Sequence, residues 1–138
     1  MTGTEVLGLG TDLVDVDRFR LALDRQGDRL VARLFSDAER DYAFRHRNPT
    51  PRLAARFGAK EAVMKALGVG LWKFALRDVE VIRLPSGQPT IALYNKAAAL
   101  AEAAKITAWH LTLTHTDIMA AATAVALGDG AVALGDRA

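Results

Sequence analysis

The segment from Arg52 to Gly70 constrains the fold of this chain more than any other part. It reads RLAARFGAKEAVMKALGVG. At about 100° per residue, this spacing predicts a helix with large apolar side chains along one narrow stripe and small side chains on the opposite side. The stripe contains Leu53, Phe57, Met64 and Leu67, and the small side contains Ala55, Gly58, Ala59, Ala62 and Ala66. Because both sides can be packed closely, we expect this helix to be buried nearly all round, at the centre of the fold.

Four charged residues interrupt this otherwise apolar helix. Arg56 and Lys60 lie on one flank, and Glu61 and Lys65 lie on the other. A buried charge is costly unless it is paired or bound to a ligand. One interpretation is an exposed Glu61–Lys65 pair, with Lys60 extending its ammonium group to solvent. The other is a binding site for phosphate and metal, which three cations and a carboxylate on one helix favour. Because Lys60 lies nearest the apolar stripe, a mainly structural role is the alternative for that residue.

The first apolar segment, VLGLGTDLVDV at residues 6–16, predicts a strand. Its alternation places Val6, Gly8, Gly10 and Asp12 on one face. Glycine in a strand usually marks the close approach of another backbone or of a ligand. Aspartate is a poor strand former. Asp12 therefore either ligates a metal, or ends the strand and caps the following helix.

A helix is predicted at residues 17–34, with Asp15 or Asp17 as its N-cap. Three arginines of this helix fall on one stripe, and the ordinary explanation of such a pattern is a solvated face. The alternative is a docking surface for an acidic partner, because arginine pairs with carboxylates in a fixed geometry. The buried stripe of this helix contains Phe19, Leu23, Leu30 and Leu34, and the adjacent stripe contains Arg18, Arg25 and Arg29.

The rest of the chain alternates between helical and strand patterns. The sequence SDAE at residues 36–39 has the form of a capping box and begins a helix that continues to Phe44, before the basic loop 45–52. The later elements are a strand at 76–84, a turn at 85–89, a strand at 90–94, a helix at 95–105 with Asn95 as N-cap, and strands at 108–115 and 116–127. We expect an α+β fold, an antiparallel sheet packed by helices on one side. Residues 1–128 are expected to form a single domain, and residues 129–138 a flexible tail.

Composition excludes several classes of protein. Because 51% of the 138 residues are hydrophobic, the chain is expected to fold as one globular domain. The absence of cysteine excludes a disulfide framework, thiolate zinc sites and cysteine nucleophiles. No segment has the pattern of a signal peptide, and no apolar run approaches the roughly 18 residues of a membrane span. We therefore expect a soluble, cytoplasmic protein with no membrane partner.

Positive charge is concentrated in one part of the chain. Although the formal net charge is only +2, ten of the thirteen arginines lie between Arg18 and Arg56, among five acidic residues. This region is expected to be electropositive and to favour an acidic partner. Nucleic acid is one such partner. However, the region has few aromatic residues for base stacking and no recognisable nucleic-acid-binding module, so we expect no nucleic acid to be bound.

Asp12 and Glu61 are candidates for a metal site. Two carboxylates from separate elements, without histidine or cysteine ligands beside them, suit magnesium shared with substrate phosphates. A neighbouring lysine would neutralise a pyrophosphate, which is the chemistry of phosphoryl-type transfer. The sequence contains neither a Walker-type loop nor a Rossmann glycine pattern. His115, where a strand meets its turn, is either structural or a contact to phosphate or hydroxyl.

Four segments carry a resemblance to a known family. They are GLGTDLVDVDRF, FSDAERDY, RFGAKEAVMKALG and HLTLTHT, which occur in this order across about residues 6–127, while SGQPTIAL supplies a G-x-P hairpin. Together they resemble the holo-acyl-carrier-protein synthase family, the small phosphopantetheinyl transferases. The combination of GxD with FxAKEAxxKAxG is specific to that superfamily. The loop 45–52 and the residues after Leu127 depart from the family pattern.

This resemblance implies a phosphopantetheinyl-transferase-like fold, an activity and a site. The family transfers 4′-phosphopantetheine from coenzyme A to a serine of apo acyl carrier protein and releases 3′,5′-ADP. Members of this length are typically homotrimers with coenzyme A bound between subunits. By motif position, Asp12 and Glu61 would bind Mg2+, while Arg56 and His115 would contact coenzyme A. Lys65 would contact the phosphates or the leaving oxygen.

Several points stay open on the sequence alone. The serine proton passes either to Glu61, which forms the expected catalytic pair with Lys65, or to a water at the metal. Arg18, Arg25 and Arg29 would contact the acidic carrier protein, whether it belongs to fatty acid or to polyketide synthesis. Two other classes remain as alternatives. A catalytically idle module that binds coenzyme A would not need both carboxylates, and a nucleic-acid-binding protein would use the arginine-rich region.

Overall fold

The structure, a computed structural model, describes residues 4–70 and 73–129. Its strands are β1 (Thr4–Asp15), β2 (Val79–Arg83), β3 (Pro89–Leu93), β4 (Ile106–His115) and β5 (Met119–Asp129). Its α-helices are α1 (Val16–Gln26), α2 (Asp28–Leu34), α3 (Asp37–Phe44), α4 (Thr50–Leu67) and α5 (Asn95–Ala103). A single 3-10 turn, Leu76–Asp78, precedes β2. Across these two ranges, no helix is long and apolar enough to cross a membrane.

The strands form two antiparallel sheets, whereas the sequence predicted one. β1, β5 and β4 pair in that order, and β2 and β3 form a separate hairpin. Helix α4 contacts β1, β5 and β4 of the larger sheet and β2 of the hairpin. The α+β class and the central position of this helix are therefore confirmed. The strands divide into two sheets because β3 of the hairpin contacts β4 of the larger sheet without a hydrogen-bonded ladder between them.

The glycines of β1 allow α4 to lie directly against the strand. A Cβ atom at Gly10 would lie 1.8 Å from the carbonyl oxygen of Ala62, and one at Gly8 would lie 2.0 Å from that of Ala66. Only a strand without side chains at these positions can touch a helix that presents alanines. This close approach confirms the sequence interpretation of the glycines, and it brings Asp12 against the same helix.

The helix predicted at residues 17–34 is two helices. Asp15 is the N-cap of α1, where its Oδ1 accepts a hydrogen bond of 3.0 Å from the Arg18 amide. The chain then turns at Gly27, whose φ of 59° lies in the left-handed region that favours glycine. Arg18 and Arg25 belong to α1 and Arg29 belongs to α2. The prediction that all three share one helical stripe is therefore wrong for Arg29.

The ends of several other helices and strands differ from the predicted ones, and local hydrogen bonds or backbone angles explain the differences. The capping box of α3 is present. Asn95 does not cap α5: it has a φ of 52°, and its side-chain amide donates to Asp78 Oδ1 at 3.1 Å. The turn between β4 and β5 occupies 116–118, because the Thr116 hydroxyl accepts from the amides of Ile118 and Met119. β5 continues through Asp129, and the remainder of the predicted tail lies outside the described residues.

Candidate active site

Asp12, Glu61 and Lys65 lie together where β1 meets α4. Asp12 projects from the same face of β1 as its glycines, and Glu61 and Lys65 lie one helical turn apart on α4. The Lys65 ammonium lies 3.3 Å from Asp12 Oδ1 and donates to the Thr11 carbonyl at 2.9 Å. Lys65 is more than half exposed, with 55% of its side-chain surface accessible, whereas Asp12 retains 17%. Lys65 of α4 therefore contacts β1 directly, and the Glu61 carboxylate lies on the Asp12 side of the same helix.

The electrostatics of this group favour a bound cation. Burial raises the pKa of Glu61, and the negative charge of Asp12 raises it further, while Lys65 opposes both effects. The two carboxylates thus lie together in a partly buried site, where Lys65 neutralises only part of their negative charge. Within the described ranges, no cluster of three or more His, Cys, Asp or Glu side chains could hold a metal ion. Two carboxylates with open positions suit Mg2+, which keeps several waters and shares substrate phosphates.

A groove of about 520 Å³ extends from this pair of carboxylates toward α1 and α2. Asp12 and Glu61 lie among its lining residues, and Arg18 lies on its wall. Its apolar walls include Phe19 and Phe57, whose ring centroids are 5.3 Å apart. A partner that docks on α1 would therefore have a direct path to both carboxylates.

A separate cationic pocket lies on another side of α4. We use this name for the cavity of about 160 Å³ that Arg52, Arg56, Arg83, His115 and Tyr42 line, together with Ala55 and Leu113. The sequence interpretation had named only Arg56 and His115 there. Arg52 lies one helical turn before Arg56, and that spacing was a signal for it. Arg83 and Tyr42 were missed because they reach the pocket from β2 and α3.

Arg56 is the most constrained residue of the cationic pocket. Only 5% of its surface is exposed, and its guanidinium carbon lies 4.3 Å from the centroid of the Tyr42 ring. Burial lowers the pKa of Arg56, and its interactions with Tyr42 and with the negative charge of Glu39 oppose this shift. Its Nε is buried with no hydrogen-bond partner among the described residues. A buried guanidinium donor without an acceptor indicates a place for an anionic ligand.

Arg83 completes the wall of the cationic pocket. Its Nη1 donates to the Tyr42 hydroxyl at 3.0 Å, and its guanidinium carbon lies 5.5 Å from the ring centroid. The Tyr42 ring therefore lies against two guanidinium groups, those of Arg56 and Arg83. With Arg52 and His115 nearby, this concentration of positive charge suits a phosphate group.

The carboxylates and the cationic pocket lie on different sides of α4. At about 100° per residue, Arg56 and Glu61 project roughly 140° apart around the helix axis. The larger sheet separates them as well, since Asp12 is on β1, His115 is on β4, and β5 lies between these strands. One small ligand therefore cannot bridge both places within a single chain without passing around α4.

Lys60 belongs to neither place. It is fully buried, and its ammonium forms an ion pair of 2.7 Å with Glu39. A lysine reaching solvent and a lysine binding phosphate are therefore both wrong for this residue, whereas the expectation that Lys60 has a mainly structural role agrees with its buried ion pair. Glu39 was recognised only as a capping residue, because nothing in the local sequence indicates a partner 21 positions away.

Comparison with known proteins shows the family to which this chain belongs. A family model described as the 4′-phosphopantetheinyl transferase superfamily matches residues 8–126. The holo-[acyl-carrier-protein] synthase of Desulforudis audaxviator (strain MP104C) is 46% identical over 123 residues, 89% of this chain and 94% of that protein. A holo-ACP-synthase from Plasmodium yoelii superimposes with a TM-score of 0.81 at 25% identity, over 93% of this chain and 99% of that one. An ACPS–CoA complex from Chronobacterium ammoniagenes superimposes with a TM-score of 0.79 at 27% identity, over 91% and 98% of the two chains. This chain therefore belongs to the 4′-phosphopantetheinyl transferase superfamily.

Proposed function

We propose that this protein is a holo-acyl-carrier-protein synthase, which transfers 4′-phosphopantetheine from coenzyme A to a serine of apo acyl carrier protein. The observation that carries this proposal is the placement of Asp12 and Glu61 in the wall of a groove beside α1, with the Lys65 ammonium 3.3 Å from Asp12. The relative from Desulforudis audaxviator bears the name of this activity. The structure from Chronobacterium ammoniagenes contains coenzyme A.

Asp12 and Glu61 are the residues that would hold Mg2+ in this enzyme. When bound there, the ion would neutralise the pyrophosphate of coenzyme A and withdraw electron density from the reacting phosphorus. Lys65, at 3.3 Å from Asp12, adds a positive charge next to the same phosphates. These groups match the need of phosphoryl transfer for positioning and charge stabilisation.

The reaction exchanges one phosphorus–oxygen bond for another. The serine oxygen of the carrier forms a bond to the β-phosphorus, the bond from this phosphorus to the bridging oxygen breaks, and the electron pair leaves with 3′,5′-ADP. The serine proton passes to a base, and we assign this role to the partly buried Glu61 carboxylate. The Lys65 ammonium stabilises charge on the leaving oxygen.

A mass measurement tests this function directly. The protein is incubated with coenzyme A, Mg2+ and an apo acyl carrier protein, and the carrier is expected to gain the mass of one phosphopantetheine group. A carrier with its serine replaced by alanine is the matched control. Binding of coenzyme A without any gain in carrier mass would contradict the proposal and favour an idle binding module.

We further propose that coenzyme A binds between subunits of a homotrimer. The carboxylates and the cationic pocket lie on different sides of α4, so two copies of the chain can each supply one part of a complete site. The face of β1 that points away from α4 is suited to association, because Leu9 and Leu13 there are 65% and 67% exposed. The subunit mass in solution, measured by light scattering, gives the oligomeric state.

Mixing two inactive variants tests the shared site. Glu61→Gln removes one part and Arg56→Ala removes the other, so each variant alone is expected to be nearly inactive. In mixed trimers, one site in four would combine an intact part from each subunit, which restores about one quarter of wild-type activity. Each variant with wild-type protein is the control for subunit exchange. No recovery in exchanged trimers would place both parts in one subunit.

The carrier protein is proposed to dock on α1 and the start of α2. Arg18, Arg25 and Arg29 are all exposed there, and Arg18 also lines the groove that leads to the carboxylates. An acyl carrier protein presents acidic helices, so these arginines provide complementary charge. The docking surface lies next to the proposed metal ligands, which suits attack by a carrier serine.

Charge reversal tests this docking surface. Exposed ion pairs contribute about 0–1 kcal/mol each, so a single Arg→Glu change at Arg18, Arg25 or Arg29 should raise the KM for the carrier modestly. The triple reversal should raise it by roughly 10-fold or more, with little change in the KM for coenzyme A. Higher salt should bring the wild type closer to the triple variant. Lys96→Glu, at an exposed position of α5, is the matched control. A normal carrier KM in the triple variant at low salt would refute this surface.

A further inference from the structure

The buried ion pair between Lys60 and Glu39 connects three elements of the fold. The Lys60 ammonium donates to Glu39 Oε1 at 2.7 Å, to the Leu76 carbonyl at 3.1 Å and to the Val79 carbonyl. Glu39 Oε2 accepts the Val81 amide at 3.0 Å. Glu39 lies on α3 and Lys60 lies on α4. The pair therefore joins these two helices to the segment from Leu76 to Val81, which leads into β2.

This network is fully hydrogen-bonded. All three N–H groups of the Lys60 ammonium have acceptors, and Glu39 Oε1 also accepts the Ser36 amide at 2.9 Å within the capping box. Both side chains have 0% exposure. Lys60 therefore has neither an open N–H group nor an accessible surface with which to bind substrate. A buried ion pair also contributes little to stability compared with apolar residues of the same volume, so a role in fixing geometry is the better explanation.

The three elements joined by this pair carry Tyr42, Arg56 and Arg83 of the cationic pocket. Tyr42 follows Glu39 by three residues on α3, and Arg56 precedes Lys60 by four residues on α4, so each lies on the same helical face as its neighbour. Arg83 follows Val81 by two residues and lies on the same face of β2. The network thus fixes the backbone within one helical turn, or one strand repeat, of Tyr42, Arg56 and Arg83.

The pair also controls which charge Arg56 experiences. The carboxylate of Glu39 attracts the Arg56 guanidinium, and the ammonium of Lys60 and the guanidinium of Arg56 repel each other. A third cavity, of about 300 Å³, has both Glu39 and Arg56 in its wall. With Lys60 present, its ammonium offsets part of the attraction between Glu39 and Arg56. Without Lys60, a buried carboxylate would compete with an anionic ligand for Arg56.

We propose that Lys60 and Glu39 are positioning residues for the cationic pocket, which hold Tyr42, Arg56 and Arg83 in place and keep Arg56 available for a phosphate group of the nucleotide. This inference rests on the proposed function, since the ligand is a phosphate of coenzyme A or of 3′,5′-ADP. Neither residue touches substrate. Their removal is therefore expected to weaken nucleotide binding and to leave the bond-making groups Asp12, Glu61 and Lys65 in place.

Two variants separate positioning from stability. Lys60→Met keeps a similar volume and leaves the Glu39 carboxylate unpaired. Glu39→Gln combined with Lys60→Met removes both charges and keeps a capping-box side chain on α3. Val31→Ala, in a buried part of α2 that lines neither the groove nor the cationic pocket, is the matched control for lost stability. All variants are compared at a temperature where circular dichroism shows each of them folded.

Calorimetric titration with 3′,5′-ADP gives the deciding measurement. Lys60→Met is expected to raise its Kd by about 10-fold or more, because displacement of a binding group by about 1 Å is costly. The KM for coenzyme A should rise in parallel, while kcat at saturation stays within about twofold of wild type. The double variant should bind more tightly than Lys60→Met, since no carboxylate competes for Arg56. Val31→Ala should lower the melting temperature without changing the Kd.

Three results would overturn this inference. The first is an unchanged Kd in both folded variants, and the second is an equal loss of binding in Val31→Ala. The third is a fall in kcat with normal nucleotide binding, which would place the pair in the bond-making step. If Lys60→Met does not fold, the Kd of the double variant decides. If the wild type transfers phosphopantetheine and binds 3′,5′-ADP, any of these three results contradicts only the positioning role of Lys60 and Glu39. If the wild type does neither, the proposed function is overturned as well.

Discussion

Asp12→Asn and Glu61→Gln are each expected to lower kcat by about 10²- to 10³-fold or more, the scale of losing one preorganised electrostatic group. Each change removes one negative charge from the place where the two carboxylates lie together, and with it one of the two proposed Mg2+ ligands. The side chains keep their size, so packing against α4 is preserved. Initial rates at saturating coenzyme A, carrier and Mg2+ give the comparison.

The stability of Glu61→Gln provides an independent readout. Because the pKa of Glu61 is raised in the folded protein, folding stability is lost as the pH rises through the folded pKa. Glutamine removes this loss, so the ligand-free variant should melt at or above the wild-type temperature at pH 7. Glu102→Gln, at an exposed position of α5, is the matched control for both activity and melting. An active Glu61→Gln enzyme would remove this residue from the site.

The response to Mg2+ separates metal binding from a purely catalytic role. In the presence of coenzyme A, added Mg2+ is expected to raise the melting temperature of the wild type, because a ligand that binds only the folded state stabilises it. Asp12→Asn and Glu61→Gln should lose most of this increase. If both variants keep the full increase, the ion binds elsewhere.

The sequence predicted the central helix and its neighbours because those features depend on local spacing. The small side of α4 and the glycines of β1 are each visible in a short window, and their complementarity is what brings Asp12 to Glu61 and Lys65. The capping box at Ser36 was visible for the same reason. At Gly27, the left-handed conformation of a single residue separates α1 from α2. Helical periodicity contains no signal for this break, so the sequence predicted one helix instead of two.

The features that the sequence did not predict depend on contacts between residues that are distant from each other in the sequence. Glu39 and Lys60 are 21 residues apart, and Arg83 reaches the cationic pocket only after β2 is placed against α3 and α4. Periodicity identified Lys60 as an unusual charge on an apolar helix, but it contains no information on the partner. The buried pair and the far wall of the pocket therefore required the tertiary structure.

The placement of α4 between two differently charged places is the main constraint on how the enzyme is organised. A negatively charged place at β1 suits a cation with pyrophosphate, and a positively charged place at β4 suits a further phosphate. Both are built on one helix, so any change that shifts α4 against β1 would disturb them together. Because the backbone of α4 leaves no space for a side chain at Gly8 or Gly10, a larger residue at either position would force such a shift.

Lys65→Ala is expected to lower kcat by roughly 10²-fold, because its ammonium group lies next to the carboxylates and would stabilise charge that develops on the leaving oxygen. Its side chain is 55% exposed, so the truncation should leave the fold intact. Lys65→Arg keeps the charge but not the compact geometry of an ammonium group, and partial activity is expected. The measurement is kcat and KM for coenzyme A in parallel.

A second readout distinguishes charge stabilisation from simple binding by Lys65. In the ligand-free protein, Lys65 opposes the rise in the pKa of Glu61 that burial and Asp12 produce. Lys65→Ala should therefore move this pKa higher still, as followed by carbon-13 NMR of the Glu61 carboxyl group, and Lys65→Arg should restore it. If Lys65→Ala raises only the KM and leaves kcat unchanged, the lysine binds ground-state phosphate and has no part in stabilising the transition state.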